Sequence, residues 1–246
     1  MNSLSRFYLP PAEWALAVPA LREDEAKHCA QVLRKREGDL IEVFDGLGQR
    51  RQANLISVSR GLCELELHDS GADANTSEAA ELHLAVAIPK GKTMDLIVQK
   101  AVELGVSSIQ PLLTDHTVVK LDAKEANKKA QKWQKVALEA CKQCGQDRLP
   151  SVADPVPMNQ WLSDLDGPET VKIMASLAPG SKSIREVLAE VGDVCLLVGP
   201  EGDFSDQETR DAIESGFVPV TLGDIVLRVE TAVFYASSII RYEQNL

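Results

Sequence analysis

A chain of 246 residues, 44% hydrophobic and 26% charged, is long enough to bury a sizeable core in one or two domains. It has no apolar run of bilayer-spanning length and its opening MNSLSRFYLPP does not read as a signal peptide; five cysteines without disulfide-type spacing point to a reducing cytoplasm. A net charge of −11 argues against a uniformly nucleic-acid-binding surface, yet residues 85–148 carry 11 Lys/Arg against 7 Asp/Glu while residues 149–246 carry 6 against 16, so a basic face can coexist with an acidic one.

In chain order, a helix is predicted between Asp24 and Arg34. Its cationic end, His28 to Arg36 (HCAQVLRKR), suits either the helix C-terminus or a backbone-phosphate contact. Leu40 to Phe44 (LIEVF) alternates as a strand does, and Asp45-Gly46 is a hairpin-turn signal. Gln52 to Val58 and Leu62 to Leu67 alternate again across Ser59-Arg60-Gly61, which together predicts a small β-barrel-like domain. Asp69 to Glu81 (DSGADANTSEAAE) is small, polar and acidic, and reads as a linker.

Beyond it, strands and helices alternate, the pattern of an α/β domain with a largely parallel sheet. Leu82 to Ile88, Ser108 to Leu113, Val171 to Leu177, Val194 to Val198 and Phe217 to Leu222 read as strands. Helices are predicted over Thr93 to Leu104, Lys124 to Cys144, Ser183 to Val191, from Ser205, and from Glu230 to Tyr242. Ser205 and Glu208 have the spacing of a capping box. Three strand ends carry similar punctuation: SLAPG at 176–180, VGPEGD at 198–203 and LGDIVLR at 222–228. If their strands are neighbours, the three turns face one crevice, where open α/β sheets bind ligands.

Other motifs dissolve on inspection. Pro89 to Thr93 ends in Gly-Lys-Thr, but Val86 stands where a P-loop needs its first glycine, which leaves Lys90 and Lys92 as phosphate contacts or a solvated helix start. No G-x-G-x-x-G follows the first strand of either domain, and no G-x-S-x-G elbow exists. Cys141 and Cys144 lack a second Cys/His pair for zinc, and His28, His68, His83 and His116 are scattered, so no metal is expected.

LLVGPEGDFSDQE and LGDIVLRVETA, taken together, resemble the paired motifs of SPOUT methyltransferases. With HCAQVLRKREGD, DLIVQKAVELGVSSIQPL and KWQKVALEACKQCGQDRLP, the resemblance narrows to the RsmE family of 16S ribosomal RNA uridine-N3 methyltransferases and spans nearly the whole chain. It implies a PUA-like RNA-binding β-barrel over 1–70, a linker at 71–81, and an α/β methyltransferase domain with a mostly parallel sheet and a C-terminal trefoil knot over 82–246. It further implies a homodimer that binds S-adenosyl-L-methionine and acts on 16S rRNA in the assembled small ribosomal subunit.

Carried onto this sequence, the cofactor residues are Ser176, Leu177, Gly199, Pro200, Glu201, Gly202, Leu222, Gly223, Leu227 and Arg228. The expected RNA contacts are Arg6, Arg34, Lys35, Lys90 and Lys92. Arg228 is the candidate for stabilising negative charge on the base, with Glu201 and Glu230 to orient it or accept the N3 proton. Asp203, Asp224 and Ile225 depart from the family pattern; at Ile225 a basic residue is usual. Two alternatives remain open: a SPOUT ribose 2′-O-methyltransferase with the same cofactor site, and an RNA-binding protein without catalysis.

Overall fold

The computed structural model describes residues 4–68, 80–165, 170–188 and 192–244, and the expected linker lies, up to residue 79, outside them. The described residues form two compact units. One joins the N-terminal segment to a later one, Cys141–Leu149; the other comprises 80–140 and 150–244.

The first unit contains β1 (Arg6–Tyr8), α1 (Pro11–Trp14), β2 (Ala20–Arg22), α2 (Glu23–Lys27), β3 (Leu40–Phe44), β4 (Arg50–Val58) and β5 (Leu62–Leu67). Its sheet runs β1-β3-β4-β5-β2, with only the β1–β3 pair parallel. The alternation of LIEVF and LCELEL buries Ile41, Val43, Cys63 and Leu65 against Phe7, Leu21 and Leu55. The predicted hairpin turn is closed by the Asp45 carboxylate, which accepts the N–H of Leu47 at 2.7 Å and of Gln49 at 3.0 Å. The predicted helix over 24–34 begins as α2 and then widens into a π-helical turn, His28–Val32, where the Leu33 N–H reaches back to the His28 carbonyl.

Segment 141–149 completes this unit. The Gly48 N–H donates to the Asp147 carbonyl at 3.1 Å, and the Leu149 N–H to the Gly46 carbonyl at 2.9 Å. Gly46 has φ +78°, and a Cβ there would lie 3.2 Å from both Leu149 Cβ and the Tyr8 ring, so glycine is required twice over. Arg6 binds the same segment. Its guanidinium donates to the Gln146 carbonyl at 2.6 Å, to the Asp147 carboxylate, and to Glu42 at 2.7 Å, and it lies 4.3 Å from the centre of the Phe44 ring. With a side chain only 8% exposed, Arg6 is an internal clamp; the expectation of a phosphate contact is corrected on that ground.

The second unit contains β6 (Leu82–Ala87), α3 (Thr93–Glu103), β7 (Ser108–Leu113), α4 (Ala123–Cys144, its last four residues belonging to the first unit), β8 (Ser151–Val152) and β9 (Val156–Pro157). Then come α5 (Met158–Ser163), β10 (Val171–Ala175), β11 (Lys182–Ser183), α6 (Ile184–Val187), β12 (Val194–Val198), α7 (Asp206–Glu214), β13 (Val218–Thr221) and α8 (Val229–Gln244). The helix predicted to reach Val191 ends at Val187, and residues 189–191 lie outside those described.

The sheet order is β11-β13-β10-β12-β6-β7-β8, with β9 also on β7, and every pair is parallel. A parallel sheet is covered on both faces, which is why VCLLV is buried at all five positions. One face is covered by α8, which packs on β12, β6 and α3, and the other by α5 and α7. Chain order and spatial order disagree around β10: β12 lies on one side of it and β13 returns to the other before α8 runs back beneath β12.

Candidate active site

The adjacency of β10, β12 and β13 brings their carboxyl ends together. The three punctuated turns therefore share one cleft, lined by residues 175–177, 198–201, 203, 222, 225–227, 229 and 232.

Each turn is fixed by local bonds. After β10, the Ser176 hydroxyl accepts the Ala178 N–H at 3.0 Å, and the Ser176 N–H donates to the Val220 carbonyl of β13 at 2.9 Å. After β13, Thr221 Oγ1 accepts the Gly223 N–H at 3.1 Å, and Gly223 takes φ +113°, a conformation open to glycine. After β12, the Asp203 N–H donates to the Pro200 carbonyl at 3.0 Å, and Asp203 itself holds φ +62° with its carboxylate accepting the Phe204 N–H at 2.8 Å. Gly199 meets the Phe204 ring: a Cβ there would lie 3.0 Å from it.

The β12 turn has a second support that the sequence did not announce. The predicted capping box is formed between Ser205 and Glu208. Its Glu208 also accepts the Asp115 N–H at 2.8 Å, and the Ser205 hydroxyl donates to the Asp115 carboxylate at 2.7 Å. Next to it, His116 Nδ1 lies 2.8 Å from the Asp203 carbonyl. That bond raises the imidazole above its ordinary pKa, because the protonated ring donates to the carbonyl.

Of the sequence-derived cofactor residues, Ser176, Leu177, Gly199, Pro200, Glu201, Leu222 and Leu227 line the cleft, while Gly202, Gly223 and Arg228 flank it. Asp203 and Ile225, noted from the sequence only as departures from the family pattern, line it as well, as do Ala175, Val198, Val226, Val229 and Ala232, which were not among the named cofactor residues. Ile225 and Val226 are 75% and 76% exposed, an apolar pair at the mouth where the family pattern leads one to expect a cation. Arg228 is exposed, and its guanidinium makes no ion pair or hydrogen bond among the described residues, to Glu201 and Glu230 included. Glu201 instead accepts the backbone N–H of Lys90 at 3.1 Å, which sets Lys90 beside the cleft. Lys92 is exposed at the start of α3; Arg34 and Lys35 belong to the first unit, Arg34 exposed at φ +52° and Lys35 half-buried.

Such a cleft, at the carboxyl edge of a parallel sheet with crossed strands, defines a class. The model of the RNA methyltransferase domain matches residues 76–241, and that of the RNA methyltransferase PUA domain matches residues 21–67. Two curated relatives named ribosomal RNA small subunit methyltransferase E extend this. The protein from Synechocystis sp. is 32% identical over 234 residues, covering 92% of this chain and 74% of the relative; that from Bacillus subtilis is 31% identical over 231 residues, covering 91% and 89%. The chain belongs to the ribosomal RNA small subunit methyltransferase E family.

Among solved structures, a methyltransferase from Legionella pneumophila in complex with bound SAM superimposes with a TM-score of 0.88, 32% identity and 98% coverage of both chains. A ribosomal RNA small subunit methyltransferase E from Neisseria gonorrhoeae bound to S-adenosyl methionine gives 0.86, 32% and 96% of both.

Proposed function

We propose that the protein is an S-adenosyl-L-methionine-dependent methyltransferase acting on N3 of a uridine in 16S ribosomal RNA, as a cytoplasmic homodimer working on the assembled small subunit. The observation that carries this is the convergence of three separately fixed turns on one cleft. The residues present fit the cofactor: Leu177, Leu222, Leu227, Val229 and Ala232 offer apolar walls, and turn backbone supplies polar groups. When bound, the cofactor supplies a methyl group made electrophilic by its positive sulfur.

The remaining chemistry belongs to this chain. N3 of uridine carries a proton and is a poor nucleophile until it is lost. Glu201 lines the cleft and is the acceptor for that proton; Glu230, half-buried in the first turn of α8, favours the positive end of the helix instead. Arg228, with no anionic partner of its own, is free to hold the negative charge that develops on the base. N3 lies on the pairing edge, so the uridine enters unpaired or flipped out.

Residues 1–70 serve RNA binding and residues 82–246 the transfer. Supporting a dimer, Tyr235 and Tyr242, seven residues apart on α8, stand 49% and 62% exposed, and Leu96 on α3, the helix packed against α8, is exposed as well; a second copy would cover such side chains. No helix among the described residues is long and apolar enough to cross a membrane.

The test is to incubate the protein with labelled S-adenosylmethionine and small subunits from a strain lacking its uridine-N3 methyltransferase, then identify the nucleoside by mass. N3-methyluridine is the expected product. A methylated ribose, or no label with folded protein, would overturn the assignment.

A further inference from the structure

The strongest basic feature of the molecule lies outside everything assigned so far. Helix α4 carries six lysines against two glutamates in 22 residues, within a chain of net charge −11. Lys124, Lys128 and Lys135 fall at i, i+4 and i+11, on one helix face, with Gln131 between them. All three are exposed, and none of their ammonium groups makes an ion pair or hydrogen bond among the described residues. Lys132 flanks the row and is itself 57% exposed. A groove lined by Leu121, Glu125 and Gln131 with Lys128, Lys129, Lys132 and Lys135 runs along this face.

Folding does not account for the row. Like charges three and four residues apart repel along a helix, so the lysines cost α4 stability. The inward face is already supplied by Ala126, Ala130, Trp133, Ala137 and Ala140, which are buried without them.

The row also leads somewhere. Lys132 Nζ binds both carboxylate oxygens of Asp95, at 2.8 and 2.5 Å, in the first turn of α3. The same turn begins at Lys92 and follows Lys90, whose N–H donates to Glu201 in the wall of the cleft. Cations thus continue from the far part of α4 to the cleft mouth through bonded neighbours within one compact unit.

We infer that Lys124, Lys128, Lys132 and Lys135 of α4 form a track for the phosphate backbone of the RNA whose base enters the cleft. The inference rests on the function proposed above. Exposed lysine ammoniums recognise phosphates as point charges and carry no sequence information, so the track positions the RNA and does not select the base. It also resolves the charge paradox: the acid of the last third lies elsewhere in the sequence, and one helix face supplies the local positive field.

The test uses the full-length protein with Lys124, Lys128 and Lys135 changed together to Gln, and separately to Arg. The probes are naked 16S rRNA and small subunits lacking the modification. Removing three phosphate contacts lowers the steepness of log affinity against log salt by about two to three, and raises the KM for either RNA probe about tenfold. The kcat at saturating RNA and the affinity for S-adenosylmethionine stay unchanged, and the Arg variant behaves as wild type. An unchanged salt slope and KM in the Gln variant would overturn the track, as would a loss confined to whole subunits with naked rRNA unaffected, which would mean a protein contact. If the wild type binds RNA but transfers no methyl group, the functional assignment fails while the salt slope still decides the track.

Discussion

Arg6 separates an internal clamp from an RNA contact, and its replacement gives a number. Arg6→Met keeps an unbranched side chain but removes the cation from over Phe44 and from between Glu42 and Asp147, whose side chains are 26% and 13% exposed. Breaking a buried pair by deleting one partner costs about 3–5 kcal/mol, because the other charge stays desolvated. The partial exposure of Glu42 places this case at about 3 kcal/mol. For a unit of this size each kcal/mol lowers the melting temperature by roughly 4–8 °C, so the first unit is expected to melt about 12–24 °C lower. Differential scanning calorimetry reads the shift. Hydrogen exchange should show faster opening of segment 141–149, which loses the bonds to the Gln146 carbonyl and the Asp147 carboxylate. The salt dependence of RNA binding should not change. A melting temperature within about 3 °C of wild type, together with a shallower salt slope, would refute the clamp and restore Arg6 to the RNA surface.

Three further outcomes follow from the site. Gly199→Ala drives a methyl into the Phe204 ring, whose core position leaves it little room; overpacking of about 1–3 kcal/mol should weaken S-adenosylmethionine binding about tenfold by calorimetry, and unchanged binding would show that the ring gives way. The His116 pKa is raised by its bond to the Asp203 carbonyl, so its hold on the turn is full below the ordinary value of 6.5 and fades as pH rises through the higher folded value; an NMR titration midpoint at or below 6.5 would contradict this, and His116→Gln should remove the pH dependence of cofactor affinity. Burial pushes the thiols of Cys29, Cys141 and Cys195 up to about 12 and Cys63 is buried, so a thiol reagent at pH 8 should label Cys144 alone in the native protein, and two or more fast-reacting thiols would be inconsistent with the packing.

Long periodic segments were legible in the sequence. The helices read over Thr93 to Leu104 and Lys124 to Cys144 differ from α3 and α4 by one residue at an end, because apolar spacing and terminal Gly105 and Gly145 mark them. The cleft was foreseen because each of its three turns carries its own Gly or Pro punctuation. What escaped was of two kinds. Elements of two to six residues, such as β8, β9 and α5, are too short to show a period and are fixed by pairing with β7 or packing on α7. Contacts distant in sequence leave no local mark: Asp115 and His116 bind the Asp203–Ser205 turn across some ninety residues. Arg6 was misread for the same reason, since its anionic partner Asp147 lies 141 residues away.

That last separation bears on how the chain is made. The strands of the first unit have all been synthesised by residue 67, yet Cys141–Leu149, which pairs with Gly46 and Gly48 and neutralises Arg6, is still unmade. At about 5–20 residues per second, translation of the intervening stretch leaves the nascent unit without its last segment for roughly 4–16 s. For that interval Arg6 has Glu42 but no Asp147. The unit that emerges first from the ribosome is therefore finished only after β6, α3, β7 and α4 have followed it.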